Sequence, residues 1–303
     1  MTATAPTTPV ATVVQREALL RQLEVSIGRK LDGLLHGDHQ GALPGPGSEA
    51  GEGRPYEPGD DVRRIDWNLT ARSGDVHVRD TVAERELETW FVVDGSASLD
   101  YGTAACEKRD LAVALVAAFG LLTARPGNRT GAVVFDGAGS RVVPPRAGRT
   151  TLIELVGRLH DRPRDPGGEP SLAAALRRVH HLGTRGGLVV VVSDLLDPSD
   201  WPRELRILGQ RHDVVVARLT DPREDDLPPV GVLALVDPET GRRHEVQTSS
   251  RRFRERYAEA AAERRRRIDD RLRSSRASHL ELATDGDWLR AVVAYVNTRR
   301  RRR

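Results

Sequence analysis

The stretch Trp90-Phe91-Val92-Val93-Asp94-Gly95-Ser96-Ala97-Ser98 decides how this chain is read. Residues 89–93 form a short strand without the polar alternation of a half-exposed one. Such a run predicts a strand covered on both faces. It leads directly into Asp-x-Ser-x-Ser. A second run, Leu188-Val189-Val190-Val191-Val192, has the same character and ends at Ser193-Asp194. Helical spacing recurs at 107–124, 150–160, 171–182 and 201–210, and further strands are predicted at 129–135 and 213–219. Strands that alternate with helices predict an α/β fold, a doubly wound and mostly parallel sheet with helices on both faces. In such sheets ligands collect beyond the carboxyl ends of the strands. Two central strands ending in Asp can therefore converge on one point.

Working outward, 140–143 is expected to pair antiparallel with 129–135 through a turn at Asp136-Gly137. Residues 162–170 read as a Pro/Gly loop. Residues 231–236 and 242–246 read as two strands joined by the turn Asp237-Pro238-Glu239-Thr240-Gly241. A long charged helix is expected at 249–273. A shorter amphipathic one is expected at 285–297, with Trp288, Leu289, Val292, Val293 and Val296 on its apolar face. Upstream, 1–14 reads as disordered, 15–35 as an amphipathic helix, 37–53 as a loop and 76–82 as a half-buried strand. The expected division is 1–14, then 15–87 as a helix with a small β-rich segment, 88–248 as the α/β domain, and 249–303 as closing helices with a basic tail.

The chemistry lies in the strand ends. Asp94, Ser96 and Ser98 alternate along one loop and offer a carboxylate and two hydroxyls. Asp194 offers a second carboxylate. Oxygen donors of this kind suit a hard cation such as Mg²⁺ or Mn²⁺ that keeps several waters. A capped turn, with hydroxyls satisfying a helix start, is the competing reading of Asp-x-Ser-x-Ser taken alone.

This arrangement resembles the metal-ion-dependent adhesion site of von Willebrand factor A domains. A longer motif adds to the resemblance: Arg54-Pro-Tyr-Glu-Pro-Gly-Asp-Asp-Val-Arg-Arg-Ile-Asp-Trp67, followed by Thr70-Ala71-Arg72, is similar to the signature of the bacterial family called domain of unknown function 58, which precedes an A-like domain. The resemblance covers about 28–296. It implies a von Willebrand factor A-like fold and a cation held by Asp94, Ser96, Ser98 and Asp194, with a coordination position open to an acidic group of a partner. It further implies a non-enzymatic adaptor or chaperone cofactor acting with a MoxR-type AAA+ ATPase. The A-domain pattern also supplies a Thr from a middle loop. Here that loop reads Gly167-Gly168-Glu169-Pro170-Ser171-Leu172, with Pro170 near the Thr position. Ser171 is the candidate substitute and Glu169 a candidate third carboxylate.

Other features are set against simpler readings. The cluster of Pro58, Gly59, Asp60, Asp61, Arg63, Asp66, Trp67 and Arg72 could form a nuclease-like carboxylate site. Each acid has an Arg nearby, which favours an ion-pair network with Trp67 packed in the core or an interface. His180-His181 falls at a helix end, where positive charge is favourable, and no third ligand stands at metal-like spacing. A haloacid-dehalogenase-like phosphohydrolase using Asp94 is the enzymatic alternative. It wants a second Asp where Ser96 stands. No Gly-x-x-x-x-Gly-Lys-Ser/Thr occurs, which argues against ATP hydrolysis by this chain.

Composition sets outer bounds. The 303 residues are 38% hydrophobic and only 4% aromatic, so a core must be built from Val, Leu and Ala. Lys and Arg number 47 against 44 Asp and Glu, close to balance. Basic charge concentrates at 264–267 and 299–303, which suggests an anionic surface or nucleic acid as alternative partner. No aromatics interleave with the terminal arginines, so nucleic acid is not favoured. Cys106 is the sole cysteine, expected as a buried small side chain. It allows no intrachain disulfide, in keeping with a reducing compartment. No run is long enough to span a bilayer, and 1–14 lacks the marks of a signal peptide. The cytoplasm is therefore the expected location.

Overall fold

A computed structural model describes residues 53–58, 60–62, 65–79, 87–103 and 105–301. The expectations for 1–14, for a helix at 15–35, and for Gly59 and Arg63 lie outside these residues. The first described elements are β1 (Gly53–Pro55), α1 (Trp67–Ser73) and β2 (His77–Arg79). Strands β1 and β2 pair antiparallel. The expected strand at 76–82 is thus observed at 77–79, and α1 was not foreseen. Trp67 is 69% exposed. This corrects the core half of the expectation that Trp67 packs in the core or an interface.

From Glu88 onward the chain alternates strand and helix. The order is β3 (Glu88–Asp94), α2 (Lys108–Thr123), β4 (Arg129–Asp136), β5 (Gly139–Ala147), α3 (Arg149–His160), α4 (Leu172–Leu182), β6 (Gly187–Ser193), α5 (Trp201–Leu208), β7 (Asp213–Thr220), β8 (Val232–Val236), β9 (Arg243–Gln247), α6 (Arg251–Ser275), β10 (Ser278–Ala283) and α7 (Trp288–Arg301). Six strands form one sheet in the order β10-β7-β6-β3-β4-β5. Only β5 runs antiparallel, hairpinned to β4 through the expected turn at Asp136-Gly137. This is the α/β, doubly wound, mostly parallel architecture that the strand and helix pattern predicts.

The period of two along each strand sorts the core into two layers. Phe91, Val93, Val190 and Val192 face one side, against Leu111 and Leu115 of α2, Leu152 and Leu155 of α3, and Val292 and Val296 of α7. Trp90, Val92, Val189 and Val191 face the other, against Leu172 and Leu176 of α4, Trp201 and Leu205 of α5, and Ile268 and Leu272 of α6. Each such buried side chain contributes roughly 1.5–3 kcal/mol. Burial on both faces explains why 90–93 of β3 and 188–192 of β6 carry no charged residue and no hydroxyl. The guanidinium of Arg271 stacks 4.4 Å from the centre of the buried Trp201 ring.

Strand β10 was not expected. It pairs parallel with β7 at the sheet edge, and only Leu280 and Leu282 of it are buried. Strands β8 and β9 pair with each other and with no other described strand. No helix among the described residues is long and apolar enough to cross a membrane.

Candidate functional site

Strands β3 and β6 lie side by side and parallel, with Val93 opposite Val192. Their carboxyl ends therefore emerge together, and Asp94 comes out level with Ser193. The Ser193 hydroxyl donates to Asp94 Oδ2 at 2.6 Å. The other oxygen, Asp94 Oδ1, accepts the Ser96 N–H at 2.9 Å and the Ser96 hydroxyl at 2.6 Å. Ser96 Oγ lies 3.1 Å from Ser98 Oγ. The turn is tight because the Gly95 N–H donates to Phe135 O at 2.7 Å. A Cβ on Gly95 would stand 3.1 Å from that same carbonyl. Ser96 then opens a single 3-10 turn, Ala97–Leu99, which brings Ser98 back beside it.

All four groups are buried: Asp94 4%, Ser96 1%, Ser98 8% and Asp194 3% exposed. Burial pushes the Asp94 carboxyl up to about 7, and the nearby Asp194 carboxylate adds to the shift. Asp194 behaves in the opposite way. Burial alone would raise it, but the ammonium of Lys108 outweighs burial and holds it below the usual carboxylate range. Lys108 Nζ donates to Asp194 Oδ2 at 2.8 Å and to Glu224 Oε1 at 2.5 Å. Lys108 is the first residue of α2 and is wholly buried. Burial works against its charge, yet the two carboxylates keep it firmly protonated. One acid of the pair thus has a built-in counter-ion, while Asp94 has only hydroxyl and N–H donors.

The middle loop departs from the expected arrangement. Ser171 is the N-cap of α4, and its hydroxyl accepts the Ala174 N–H at 3.3 Å. The cap uses one lone pair of the Ser171 oxygen. Asp197 also fixes the start of α4: its Oδ2 accepts the Leu172 N–H at 2.5 Å. Glu169 is exposed. A different acid reaches the site, Glu239 from the turn between β8 and β9. Its Oε1 accepts the Ser98 N–H at 2.9 Å, and its Oε2 is buried without a hydrogen-bond partner among the described residues. Burial raises the Glu239 carboxyl, and Asp165 and Asp194 raise it further. Sequence reasoning missed Lys108 and Glu239. Neither carries a local signal, since one begins an apolar helix and the other sits in an ordinary polar turn.

The upstream signature is built differently. Asp66 Oδ1 accepts the Asn68 and Leu69 N–H groups at 3.1 and 3.2 Å and so caps α1. Asp60 Oδ2 accepts the Glu57 N–H at 2.9 Å. Both acids hold local backbone, a role that the ion-pair reading of the motif did not include. Asp61 and Arg72 are exposed. Cys106 is half-buried rather than fully buried, and burial pushes its thiol up.

The family model described as "Protein of unknown function DUF58" matches residues 52–267. The chain belongs to this family. Among similar proteins, the uncharacterized protein Rv1480 of Mycobacterium tuberculosis is 47% identical over 285 residues, covering 94% of this chain and 90% of the relative. The uncharacterized protein MAV169 of Mycobacterium avium is 37% identical over 160 residues, covering 52% of this chain and 94% of the relative. Among solved structures, the conserved hypothetical protein BatB from Bacteroides thetaiotaomicron aligns with a TM-score of 0.46 at 13% identity, over 71% of this chain and 99% of that one. The SpRpn10 VWA domain aligns with a TM-score of 0.39 at 11% identity, over 71% and 95%.

The donor chemistry of this DUF58 site fits a hard divalent cation. Two carboxylates and two hydroxyls are gathered at the buried strand ends, and a carboxylate buried without a counter-charge favours any cation that can reach it. No three His, Cys, Asp or Glu side chains among the described residues form a metal cage. A cation here would therefore be held by the serine hydroxyls and directly by at most two of the carboxylates.

Proposed function

We propose that this DUF58 protein is a non-enzymatic protein-binding module that holds Mg²⁺ or Mn²⁺ at the tips of β3 and β6 and uses it to capture an acidic group of a partner. Asp94, Ser96 and Ser98 would hold the ion, with Asp194, paired to Lys108, contributing through water. Bound there, the ion would supply positive charge that an incoming carboxylate can share. The observation that carries this reading is the asymmetry of the two acids. Asp194 is neutralised by Lys108, whereas Asp94 is buried among hydroxyls and lifted to about 7. A pocket of that kind gains most from a cation and an anion together.

A phosphohydrolase reading is less well supported. Both Asp94 oxygens are engaged by donors from Ser96 and Ser193. Ser96 also stands where a general acid carboxylate would be needed. The partner best matched to the reading is a MoxR-type AAA+ ATPase, with this protein as its adaptor or chaperone cofactor, and the cytoplasm is the proposed location. The test is pull-down of such an ATPase from the same organism with wild type, Asp94→Ala and Ser96→Ala. Loss of capture in both variants, with unchanged far-UV circular dichroism, is the expected outcome. Undiminished capture by both variants would refute the reading.

A further inference from the structure

The hairpin of β8 and β9 is the part of the molecule that the sheet does not explain. It joins no other described strand, and Val232 and Val236 on it are 65% and 57% exposed. Its base is fixed by the buried Thr248, whose N–H donates to Gly231 O at 2.7 Å and whose Oγ1 accepts the Val230 N–H at 3.0 Å. Its tip is placed with equal care. Asp237 ties the turn together by accepting the Glu239 and Thr240 N–H groups and the Thr240 hydroxyl.

The tip rests on the middle loop beside the strand ends. The Gly168 N–H donates to Glu239 O at 3.1 Å. Gly167 has φ +97°, and a Cβ there would stand 2.5 Å from Glu239 O. Only glycine permits so close an approach. The result is that Glu239 extends into the Asp94–Ser98 loop, with Oε1 on the Ser98 N–H and Oε2 buried and unpartnered. An unpartnered carboxylate oxygen buried near two more carboxylates is costly. A cation beside it removes that cost.

We propose that Glu239 is an in-chain ligand of the cation site, and that the β8–β9 hairpin closes the site from within by filling the position an acidic group of a partner takes. This rests on the cation reading above, and the experiment separates the two. Mn²⁺ titration by calorimetry and hydrogen–deuterium exchange of 232–247 are run on the full chain as wild type, Glu239→Gln and Asp94→Ala. Wild type is expected to bind Mn²⁺ and to show slower exchange at the hairpin tip when it does. Glu239→Gln is expected to bind about 10-fold more weakly and to lose that protection, and Asp94→Ala to bind no Mn²⁺. At saturating Mn²⁺, a short polyglutamate peptide is expected to bind Glu239→Gln at least 10-fold more tightly than wild type. Suppose Mn²⁺ binding needs Asp94 but is unchanged in Glu239→Gln, with hairpin exchange indifferent to the ion. The in-chain ligand is then refuted and the cation site stands. Equal peptide binding by the two proteins would refute closure from within. Absence of Mn²⁺ binding in wild type would overturn both ideas.

Discussion

Replacing Lys108 with Met leaves two carboxylates without the ammonium they share. Lys108 is wholly buried and lies 2.8 Å from Asp194 and 2.5 Å from Glu224, which are themselves 3% and 23% exposed. Met has nearly the same length and fills the same space, so the packing loss is small. The electrostatic loss is not small. Removing one partner of a buried ion pair costs about 3–5 kcal/mol, because the remaining charge is stranded. For a domain of this size each kcal/mol shifts the melting temperature by roughly 2–4 °C. Lys108→Met should therefore melt about 6–20 °C below wild type, and urea titration should give a lower midpoint with an unchanged slope. The same substitution leaves the pocket more acidic, so Mn²⁺ should bind at least 10-fold more tightly. A stability loss under about 1 kcal/mol would refute the claim that this ammonium offsets the buried acids. A Mn²⁺ affinity no higher than wild type would refute the claim that it shares the pocket with the ion.

The pH dependence of Asp94 follows from its position. Its carboxyl is raised from 3.8 to about 7, by burial first and Asp194 second, so the native state keeps a proton that the unfolded chain has released. Stability conferred by this group is present below about pH 4 and is lost as pH rises to about 7. Mg²⁺ should restore part of that loss at pH 8 and have little effect at pH 5, as read by thermal melts. Ser193→Ala removes the hydroxyl donated to Asp94 Oδ2. It should cost about 1.5–3 kcal/mol at pH 8 and less at pH 5, measured by urea denaturation. Ser171→Ala should cost about 0.5–2 kcal/mol through loss of the α4 cap and leave Mn²⁺ affinity unchanged. A weaker affinity would place Ser171 in the ligand set.

The sheet was legible because its central strands are buried on both faces, and an unbroken run such as Leu188-Val189-Val190-Val191-Val192 has few other readings. The meeting of Asp94 with the β6 end was legible for a related reason, since parallel neighbours end on one edge. Strand β10 was not, because Ser278-His279-Leu280-Glu281-Leu282-Ala283 offers two inward leucines at an edge. Lys108 was hidden because a lysine at a helix start is ordinarily solvated. Only the fold shows that this one points under the sheet tips. Glu239 was hidden by separation: its partner Ser98 lies 141 residues away in the chain, and Asp237-Pro238-Glu239-Thr240-Gly241 has the composition of any exposed turn. The core reading of Trp67 failed in the other direction. Tryptophan is usually buried, yet this one is exposed.

The central claim is that the tips of β3 and β6 share one pocket that takes a divalent cation. Crystals grown with Mn²⁺ and measured at the manganese absorption edge test it most directly. One anomalous peak within coordination distance of Asp94, Ser96 and Ser98 is the expected result. A map with no peak there, or with manganese only at surface carboxylates, would contradict the account.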